Sequence, residues 1–509
     1  MAFAEAKLPL TELLGSLSLA TDVGTGQPLG HGLSTSLLAV EVARELGCDD
    51  AQIRHVQQVS LIRFLGCTSD SNDTARMSGG DDLSFMKRFA PAHMGTKSEA
   101  TRAMIRAVGS GQSAPRRGRL IAAALTHNPA SDAGGLAAHC EVGAMLARRL
   151  GVDAEVVVAL EHAYERWDGT GEPAGLAGGE IPLETRIAVV ARDADLFARR
   201  GEAVVEVLRE RRGKAYDPHI VDIVTKLDIS GREADWDEVL AAEPEPRAMV
   251  QDVDHSLAVI ADYVDLKSPW IRGHSRAVAD LAQRAGKLLG MTGDQVRDLR
   301  RGALVHDVGR IGVENGIWDK PGPLATPEWE KVRLHPYLTE RVLSRCTALA
   351  ELGEIASSHH ERSDGSGYHR RMSADQLSNA GRLLAAADVM AALTADRPHR
   401  ARFDTSEAAR MLEAEAAAGR LDREAVAAVV SAAEGRSRLA RSMNPGGLTD
   451  REVEVLRLIA RGHTNRVIGE ELFISPKTVG RHIENIYVKI GVSTRAGAAL
   501  YAMEQRLLE

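Results

Sequence analysis

Residues 359–372, which read HHERSDGSGYHRRM, have a counterpart at 163–176, which reads AYERWDGTGEPAGL. The two stretches share Glu, Arg, Asp and two Gly residues at a constant offset of 196 positions, and the same offset relates His139 to His335. Similarity at a fixed spacing is the signature of repeated structural units. The sequence therefore predicts two tandem copies of one fold.

Earlier in each copy the offset is different. The Gly-His pairs at 30–31 and 273–274 are 243 positions apart, so the first copy carries about 47 additional residues between 67 and 139. The stretch 69–82, SDSNDTARMSGGDD, is rich in Ser, Asp and Gly. This composition predicts that the insertion is rich in loops.

Helical patterning runs through almost the whole chain. The segment 275–290, SRAVADLAQRAGKLLG, places apolar residues at the spacing of one helix face, and no stretch alternates with period two. Aromatic residues make up only 4% of the chain, so its cores are built mainly from aliphatic side chains. We therefore predict an all-α fold of two tandem helical bundles at 1–230 and 250–434, a linker at 435–447 and a C-terminal module at 448–509.

Composition excludes several classes of protein. The net charge of −8 argues against a general polyanion binder, so any nucleic-acid contact must be a local patch. Four cysteines without CxxC spacing support neither a disulfide framework nor a zinc ribbon. The sequence contains neither a signal-peptide pattern at its start nor a run of about 18 apolar residues. We expect a cytoplasmic protein without membrane association.

The second copy is rich in imidazole and carboxylate groups. The residues are His274, His306, Asp307, His335, His359, His360 and Asp388. Such donors favour Mn, Fe, Ni or Zn over Mg or Ca. Any one of these histidines alone would more often be structural, but together they exceed the needs of one ion. We therefore predict two divalent transition-metal ions, bridged by Asp307, which activate a water for in-line phosphoryl displacement.

Three strings carry a resemblance to a known family: HDVGRIG at 306–312, HHERSDGSGYH at 359–369, and RLLAAADVMAALTADRPHR at 382–400. Over about 252–432 the chain resembles the HD-GYP family of metal-dependent phosphodiesterases. The resemblance implies an all-helical fold of the wider HD-domain type, cyclic di-GMP as substrate, the seven residues above as metal ligands, and a catalytic role for Asp307.

The resemblance also implies contacts to the substrate. Arg310 stands where the family has a phosphate-contacting lysine, and a guanidinium can still hold a phosphate. His369 replaces the proline of the GYP motif, and Tyr368 before it is either a stacking partner for guanine or a packed loop aromatic. Arg397 and Arg400 either reach a substrate phosphate or face solvent. Trp270 stands where some relatives have a further glutamate ligand, which favours two metals over three.

The first copy is degenerate at the ligand positions. Its residues there are His31, Arg63, Phe64, His139, Ala163, Tyr164 and Arg192. These side chains cannot hold a dinuclear centre, so we predict a catalytically inactive domain with a packing or regulatory role. Arg63 and Arg192 would favour an anion in the old cleft. Cys67 and Cys140 have two interpretations. They form a redox or soft-metal sensor, or they are buried thiols that do not react.

The C-terminal module has the signals of a helix-turn-helix. Thr449 and Glu452 form a capping box, and Ser475-Pro476 opens a later helix. Two helices joined by a short turn are typical of the motif that enters the DNA major groove, and the module closely resembles the LuxR-type domain. The alternative is a small protein-interaction bundle. The predicted DNA-binding residues are Thr464, Asn465, Lys477, Thr478, Arg481, His482 and Lys489.

Two functions fit this organisation. One is a transcriptional regulator with an active phosphodiesterase domain that hydrolyses or senses cyclic di-GMP. The other is a transcription factor whose two HD-GYP-like halves only bind a nucleotide or metal and dimerise. Both imply DNA, a cyclic dinucleotide or related nucleotide, and a second copy of the chain as partners, because LuxR-type domains usually act as dimers.

Overall fold

The computed structural model describes residues 8–126, 135–229, 231, 233–435 and 444–508. These residues form helices and isolated β-bridges, without a β-strand among them, so the predicted all-α fold is confirmed. One compact unit extends to Val253 and includes Glu314–Gly316, and the other comprises Asp254–Val313 and the chain from Ile317 onward. No helix within the described ranges is long and apolar enough to span a membrane.

The helices up to residue 253 are α1 (Leu10–Gly24), α2 (His31–Glu45), α3 (Asp50–Ile62), α4 (Ser71–Ser78), α5 (Asp82–Phe89), α6 (Lys97–Ala107), α7 (Ala114–Thr126), α8 (Gly135–Leu150), α9 (Ala154–Glu161), α10 (Leu183–Arg199), α11 (Val204–Arg211), α12 (Pro218–Val224) and α13 (Trp236–Ala242). The insertion contains α4 to α7, so the prediction of a loop-rich segment was wrong. Some of its polar residues start helices: Asp81 accepts a hydrogen bond from the backbone of Ser84, and Thr96 forms a capping box with Glu99.

The helices of the second copy are α14 (Val253–Asp265), α15 (His274–Leu288), α16 (Gly293–Val305), α17 (Asn315–Trp318), α18 (Thr326–Val332), α19 (His335–Leu343), α20 (Ala350–Ser357), α21 (Asn379–Leu393), α22 (Thr405–Ala417) and α23 (Arg423–Glu434). The apolar spacing of 275–290 predicts that helix α15 buries Val278, Leu281, Ala282, Ala285 and Leu288. The first four are buried, but Leu288 at the end of the helix is 60% exposed, so the prediction was wrong for that residue.

Corresponding positions of the two copies have the same local structure. Helices α2 and α15 both follow a glycine in the left-handed region, Gly30 at φ 90° and Gly273 at φ 79°. A Cβ on Gly66 would lie 1.9 Å from the carbonyl oxygen of His139, and one on Gly309 would lie 2.1 Å from that of His335. These glycines therefore permit the same close approach of two backbones in each copy.

The C-terminal module consists of α24 (Asp450–Ala460), α25 (Asn465–Leu472), α26 (Pro476–Ile490) and α27 (Arg495–Glu504). The capping box of Thr449 and Glu452 starts α24, as predicted, and Ser475 caps α26. Helix α26 turns Val479, Ile483 and Ile486 inward. Most of the predicted linker, residues 436–443, lies outside the described residues.

Candidate metal centre and nucleic-acid interface

The structure brings all seven predicted metal ligands of the second copy together. Their donor atoms form three overlapping groups, and within each group the atoms lie within 4.8 Å of one another. The groups are His335, His359 and His360; His274, His306 and Asp388; and His306, Asp307 and His359. Since the groups share members, they make up one continuous cluster in the interior of the bundle.

Helix ends supply most of this cluster. His274 starts α15, His306 follows α16 and precedes Asp307, His335 starts α19, the pair His359 and His360 follows α20, and Asp388 lies within α21. The cluster therefore depends on the packing of five helices.

Backbone carbonyls fix the orientation of three imidazoles. The Nδ1 atoms of His306, His335 and His359 lie 2.7, 2.6 and 2.7 Å from the carbonyl oxygens three residues earlier in the chain. With Nδ1 donating to these carbonyls, each Nε2 is left as the ligand atom. The Nε2 atoms of His335 and His359 lie 3.0 Å apart, which suits two lone pairs directed at one cation.

The two carboxylate oxygens of Asp307 face different histidines. Oδ1 lies 3.5 Å from Nε2 of His335 and 3.6 Å from that of His359. Oδ2 lies 3.7 Å from Nε2 of His306 and 4.0 Å from that of His274. This placement agrees with a bridging role for Asp307, which stays a prediction.

The electrostatics of the cluster suit cations. Burial lowers the pKa of His335 to about 4 and that of His359 to about 3, so both rings are neutral at pH 7 and offer lone pairs. Burial opposes protonation of His306 too, but the carboxylates of Asp307 and Asp388 raise its pKa to about 9. Its buried Nε2 has no hydrogen-bond partner among the described residues, although it faces both carboxylates. A divalent ion would replace that proton.

Arg310 lies beside the cluster, against a residue that sequence reasoning missed. It donates to Oδ2 of Asp307 at 3.0 Å, and its guanidinium carbon lies 3.8 Å from the centre of the Trp318 ring. The indole of Trp318 donates in turn to the carbonyl oxygen of Arg310 at 3.2 Å. No sequence signal links Arg310 to Trp318, because their contact depends on the turn between them.

The other predicted substrate contacts differ from one another. The ring of Tyr368 lies 4.8 Å from that of His360, so it borders the cluster. Arg397 donates to the carbonyl oxygen of Trp270, and burial together with Arg310 lowers its pKa to about 10. Arg400 instead donates to backbone carbonyls at the end of α21. Its role as a substrate contact stays a prediction.

His369, in the position of the family's proline, forms a local pair. Its Nε2 lies 3.0 Å from Oε2 of Glu340 on α19, and its ring packs 6.0 Å from that of Tyr337. The loop after His360 is thus tied to the helix that starts with His335.

In the first copy, the equivalent cleft is occupied by aromatic and cationic groups. The hydroxyl of Tyr164 lies 3.3 Å from Nδ1 of His139 and 3.7 Å from Sγ of Cys67. Burial raises the pKa of Cys140 to about 11, so it is a neutral thiol at pH 7. Both cysteines are buried, which favours the inert interpretation over the sensor.

The predicted DNA-binding residues divide into two sets. Lys477, Thr478 and Arg481 are exposed on α26, and His482 beside them is half-buried. The remaining three make contacts within the module: Thr464 caps α25, Asn465 accepts from Arg495 at 3.0 Å, and Lys489 pairs with Glu452 at 2.7 Å. The ion pair connects Lys489 to the capping box of α24, and its contact with DNA stays a prediction.

Comparison with known proteins places this geometry in context. The HD domain family matches residues 123–220 and 258–425, and the family of bacterial regulatory proteins of the luxR type matches 447–502. The 3'3'-cGAMP-specific phosphodiesterase 3 of Vibrio cholerae is 30% identical over 430 residues, which cover 81% of this chain and 92% of that protein. A cyclic di-GMP phosphodiesterase of Pseudomonas aeruginosa is 33% identical over 244 residues, which cover 47% of this chain and 53% of that protein. A crystal structure of a cyclic GMP-AMP-specific phosphodiesterase from V. cholerae superposes with a TM-score of 0.58 at 27% identity, over 84% of this chain and 98% of that one.

Proposed function

Since this chain belongs to the HD-GYP family of HD-domain proteins and ends in a LuxR-type domain, we propose that it is a DNA-binding regulator that hydrolyses a 3',3'-cyclic dinucleotide at its second copy. The observation that carries the proposal is the convergence of Asp307 and six other candidate ligand side chains in one cluster. Cyclic di-GMP and 3',3'-cyclic GMP-AMP are the two candidate substrates, because relatives of this chain are named for each.

Each residue has a definite part in the proposed reaction. Two divalent transition-metal ions held by the seven ligands would supply an activated water and offset phosphate charge. Asp307 is ionised because His306 and Arg310 hold its pKa well below the usual range against the effect of burial. Arg310, held flat against Trp318, presents its guanidinium to a phosphate oxygen. Water adds to one phosphodiester, the sugar oxygen leaves, and the product is a linear dinucleotide.

The test is hydrolysis of a nucleotide panel by the full chain loaded with manganese or iron. The panel contains both candidates, cyclic di-AMP and a linear dinucleotide. Two variants at equivalent positions form a matched pair: His335→Ala removes a proposed ligand of the second copy, and His139→Ala changes the first copy only. We expect His335→Ala to lose bound metal and turnover, and His139→Ala to keep both.

Two results would contradict parts of this proposal. Stoichiometric metal and nucleotide binding without turnover would support the non-catalytic alternative, in which the second copy is only a sensor. Equal loss of metal from both variants would contradict the assignment of the metal centre to the second copy.

We further propose that nucleotide and DNA binding are coupled. Within the unit that holds both sites, Arg272 donates to the carbonyl oxygen of Ala460 at the end of α24, and Arg506 pairs with Asp280 of α15 at 2.9 Å. Arg272 is two residues before His274, so the LuxR-type module contacts the segment that leads into the metal cluster. Coupling must be reciprocal, so operator DNA should change nucleotide affinity by the same factor. One unchanged dissociation constant with and without DNA would refute it.

A further inference from the structure

The cleft of the first copy has its charge pattern inverted relative to the metal cluster. Arg63 stands at the position of His306, and Arg192 stands at that of Asp388. Both guanidiniums are inside the bundle, with only 5% and 4% of these residues exposed. Positions that hold an imidazole and a carboxylate in the second copy therefore hold two buried guanidiniums in the first.

Arg63 lacks the partners that a buried guanidinium needs. Its Nε and Nη1 atoms make no hydrogen bond in the part of the chain that the structure describes. Its guanidinium carbon lies 5.4 Å from the centre of the Tyr164 ring and 6.0 Å from that of Phe64. Ring faces attract a cation only weakly, and they do not satisfy its N–H groups. An unpaired buried charge destabilises the fold. Buried charges in proteins are therefore usually hydrogen-bonded or paired with an opposite charge.

The neighbouring acidic side chain is already engaged. Asp193 pairs with Arg192 and with Arg211, and it also accepts a hydrogen bond from the hydroxyl of Tyr216. Arg192 uses Nη1 for this pair and for the carbonyl oxygen of Ala90, but its buried Nε also lacks a partner. Asp193 is therefore already paired with two guanidiniums, and it does not neutralise the positive charge of Arg63.

The other ionisable neighbours do not supply the missing negative charge. Burial raises the pKa of Cys140 to about 11 and raises that of Tyr164 well above its ordinary value, so both are neutral. His93, from the insertion, packs edge-on to Tyr164 at 4.8 Å, and burial beside Arg192 and Arg63 lowers its pKa to about 3. Asp70, 2.8 Å from Nε2 of His139, raises the pKa of that imidazole well above its ordinary value against the effect of burial, so this pair adds no net charge. The positive charge of Arg63 is not neutralised by these neighbours, and an anion from outside the chain would neutralise it.

We propose that the cleft of the first copy binds the oxyanion of a phosphate group, either on a nucleotide or as free orthophosphate. The donors are the unpartnered N–H groups of Arg63 and of Arg192 Nε, and the aromatic rings of Phe64 and Tyr164 form an apolar wall beside them. Phe64 and His93 are only partly buried, so they are the members of the cleft that lie nearest to solvent. Because the ligands for a metal pair are absent, the phosphate is bound and not cleaved.

The site is separate from the proposed hydrolytic centre, so its test reads binding and not turnover. The full chain is titrated with orthophosphate at constant ionic strength, and then with cyclic di-GMP, by calorimetry and by thermal unfolding. Arg63→Met removes the charge but keeps the length of the side chain. Arg148→Met is the matched control, because Arg148 belongs to the same unit but is exposed and forms an ion pair with the partly exposed Glu161.

We expect the wild type and Arg148→Met to bind the anion at one site per chain in addition to any bound at the metal centre. Arg63→Met should weaken that binding by about 10- to 100-fold, because it removes the charge-assisted hydrogen bonds that the guanidinium would donate to the anion. Arg63→Met should also unfold at the same or a higher temperature than the wild type when the anion is absent, because it removes an unpaired buried charge.

Two outcomes distinguish the source of the phosphate, and both support the proposal. If cyclic di-GMP displaces orthophosphate at the Arg63-dependent site, the ligand is a nucleotide, and if only orthophosphate shows the dependence on Arg63, the ligand is the free ion. Binding that is unchanged in Arg63→Met, or no binding by the wild type beyond the metal centre, would overturn the proposal. Neither result depends on whether the second copy hydrolyses anything.

Discussion

Replacement of Gly309 by alanine should damage the metal cluster without touching any of its ligands. A Cβ at this position would lie 2.1 Å from the carbonyl oxygen of His335 and 2.5 Å from the backbone nitrogen of Thr339. Both neighbours are backbone atoms of α19 and cannot rotate away. The helix that begins with His335 must therefore move, and a proposed metal ligand moves with it.

The size of the expected effect follows from how far the added Cβ overlaps the backbone of α19. Ordinary contact begins at 3.4 Å, so α19 must retreat by more than about 1 Å, and overpacking of this kind costs about 1–3 kcal/mol. For a domain of this size, that cost lowers the Tm by about 2–12 °C. A misplacement of about 1 Å at a reacting centre reduces turnover by about 100-fold.

The assay combines thermal unfolding with hydrolysis of the preferred cyclic dinucleotide. Gly66→Ala is the matched variant of the first copy, because its Cβ would lie 1.9 Å from the carbonyl oxygen of His139. It should lower stability similarly but leave turnover nearly intact. Gly293→Ala is the benign control, since its Cβ meets nothing within 4 Å at the start of α16. If Gly309→Ala kept the wild-type Tm and full turnover, the close approach of α19 would not position His335.

Three further outcomes are expected. Trp318→Ala should lower turnover by about 10-fold with little change in bound metal, because it frees Arg310 from the indole face; equal KM and kcat in variant and wild type would exclude that role. Arg481→Ala should weaken operator binding and reduce its salt dependence, whereas Lys489→Ala should lower module stability without changing the salt slope, because Lys489 pairs with Glu452. Native protein at pH 7 should resist alkylation at Cys140, because this thiol is buried and its pKa is about 11. The partly exposed Cys48 should react within the same time, and peptide mapping would show which of the two thiols is modified.

Local sequence signals predicted the fold class, which is confirmed, and a candidate ligand set, whose members lie together in the structure. The helix of 275–290 could be read from its apolar spacing, and the start of α24 from one capping box. The proposed ligands were recognisable because His306-Asp307 and His359-His360 are adjacent pairs in a segment otherwise rich in Ala and Leu. The comparisons confirm the family and its HD-domain character. The assignment of each residue as a ligand remains a prediction.

Contacts made only in three dimensions were beyond the sequence. Trp318 holds Arg310 across a turn that has no recognisable motif. Lys489 looked like a phosphate contact because it lies on a cationic stretch, but it turns toward Glu452. The sequence left Arg400 between a substrate phosphate and solvent, whereas in the structure its guanidinium donates to backbone carbonyls at the end of α21. In each case the competing partner is distant along the chain or is a backbone group.

Comparison of the two copies distinguishes the residues that the fold needs from the residues of the proposed sites. The left-handed glycine before α2 and α15 and the glycine contacts with His139 and His335 persist in both copies, although one has lost most of the ligand set. The bundle therefore does not need the ligands in order to form. Buried charges that the fold does not need lower its stability unless a partner neutralises them. The same reasoning supports the cations proposed at the seven-residue cluster, six of whose members are buried, and the anion proposed beside Arg63.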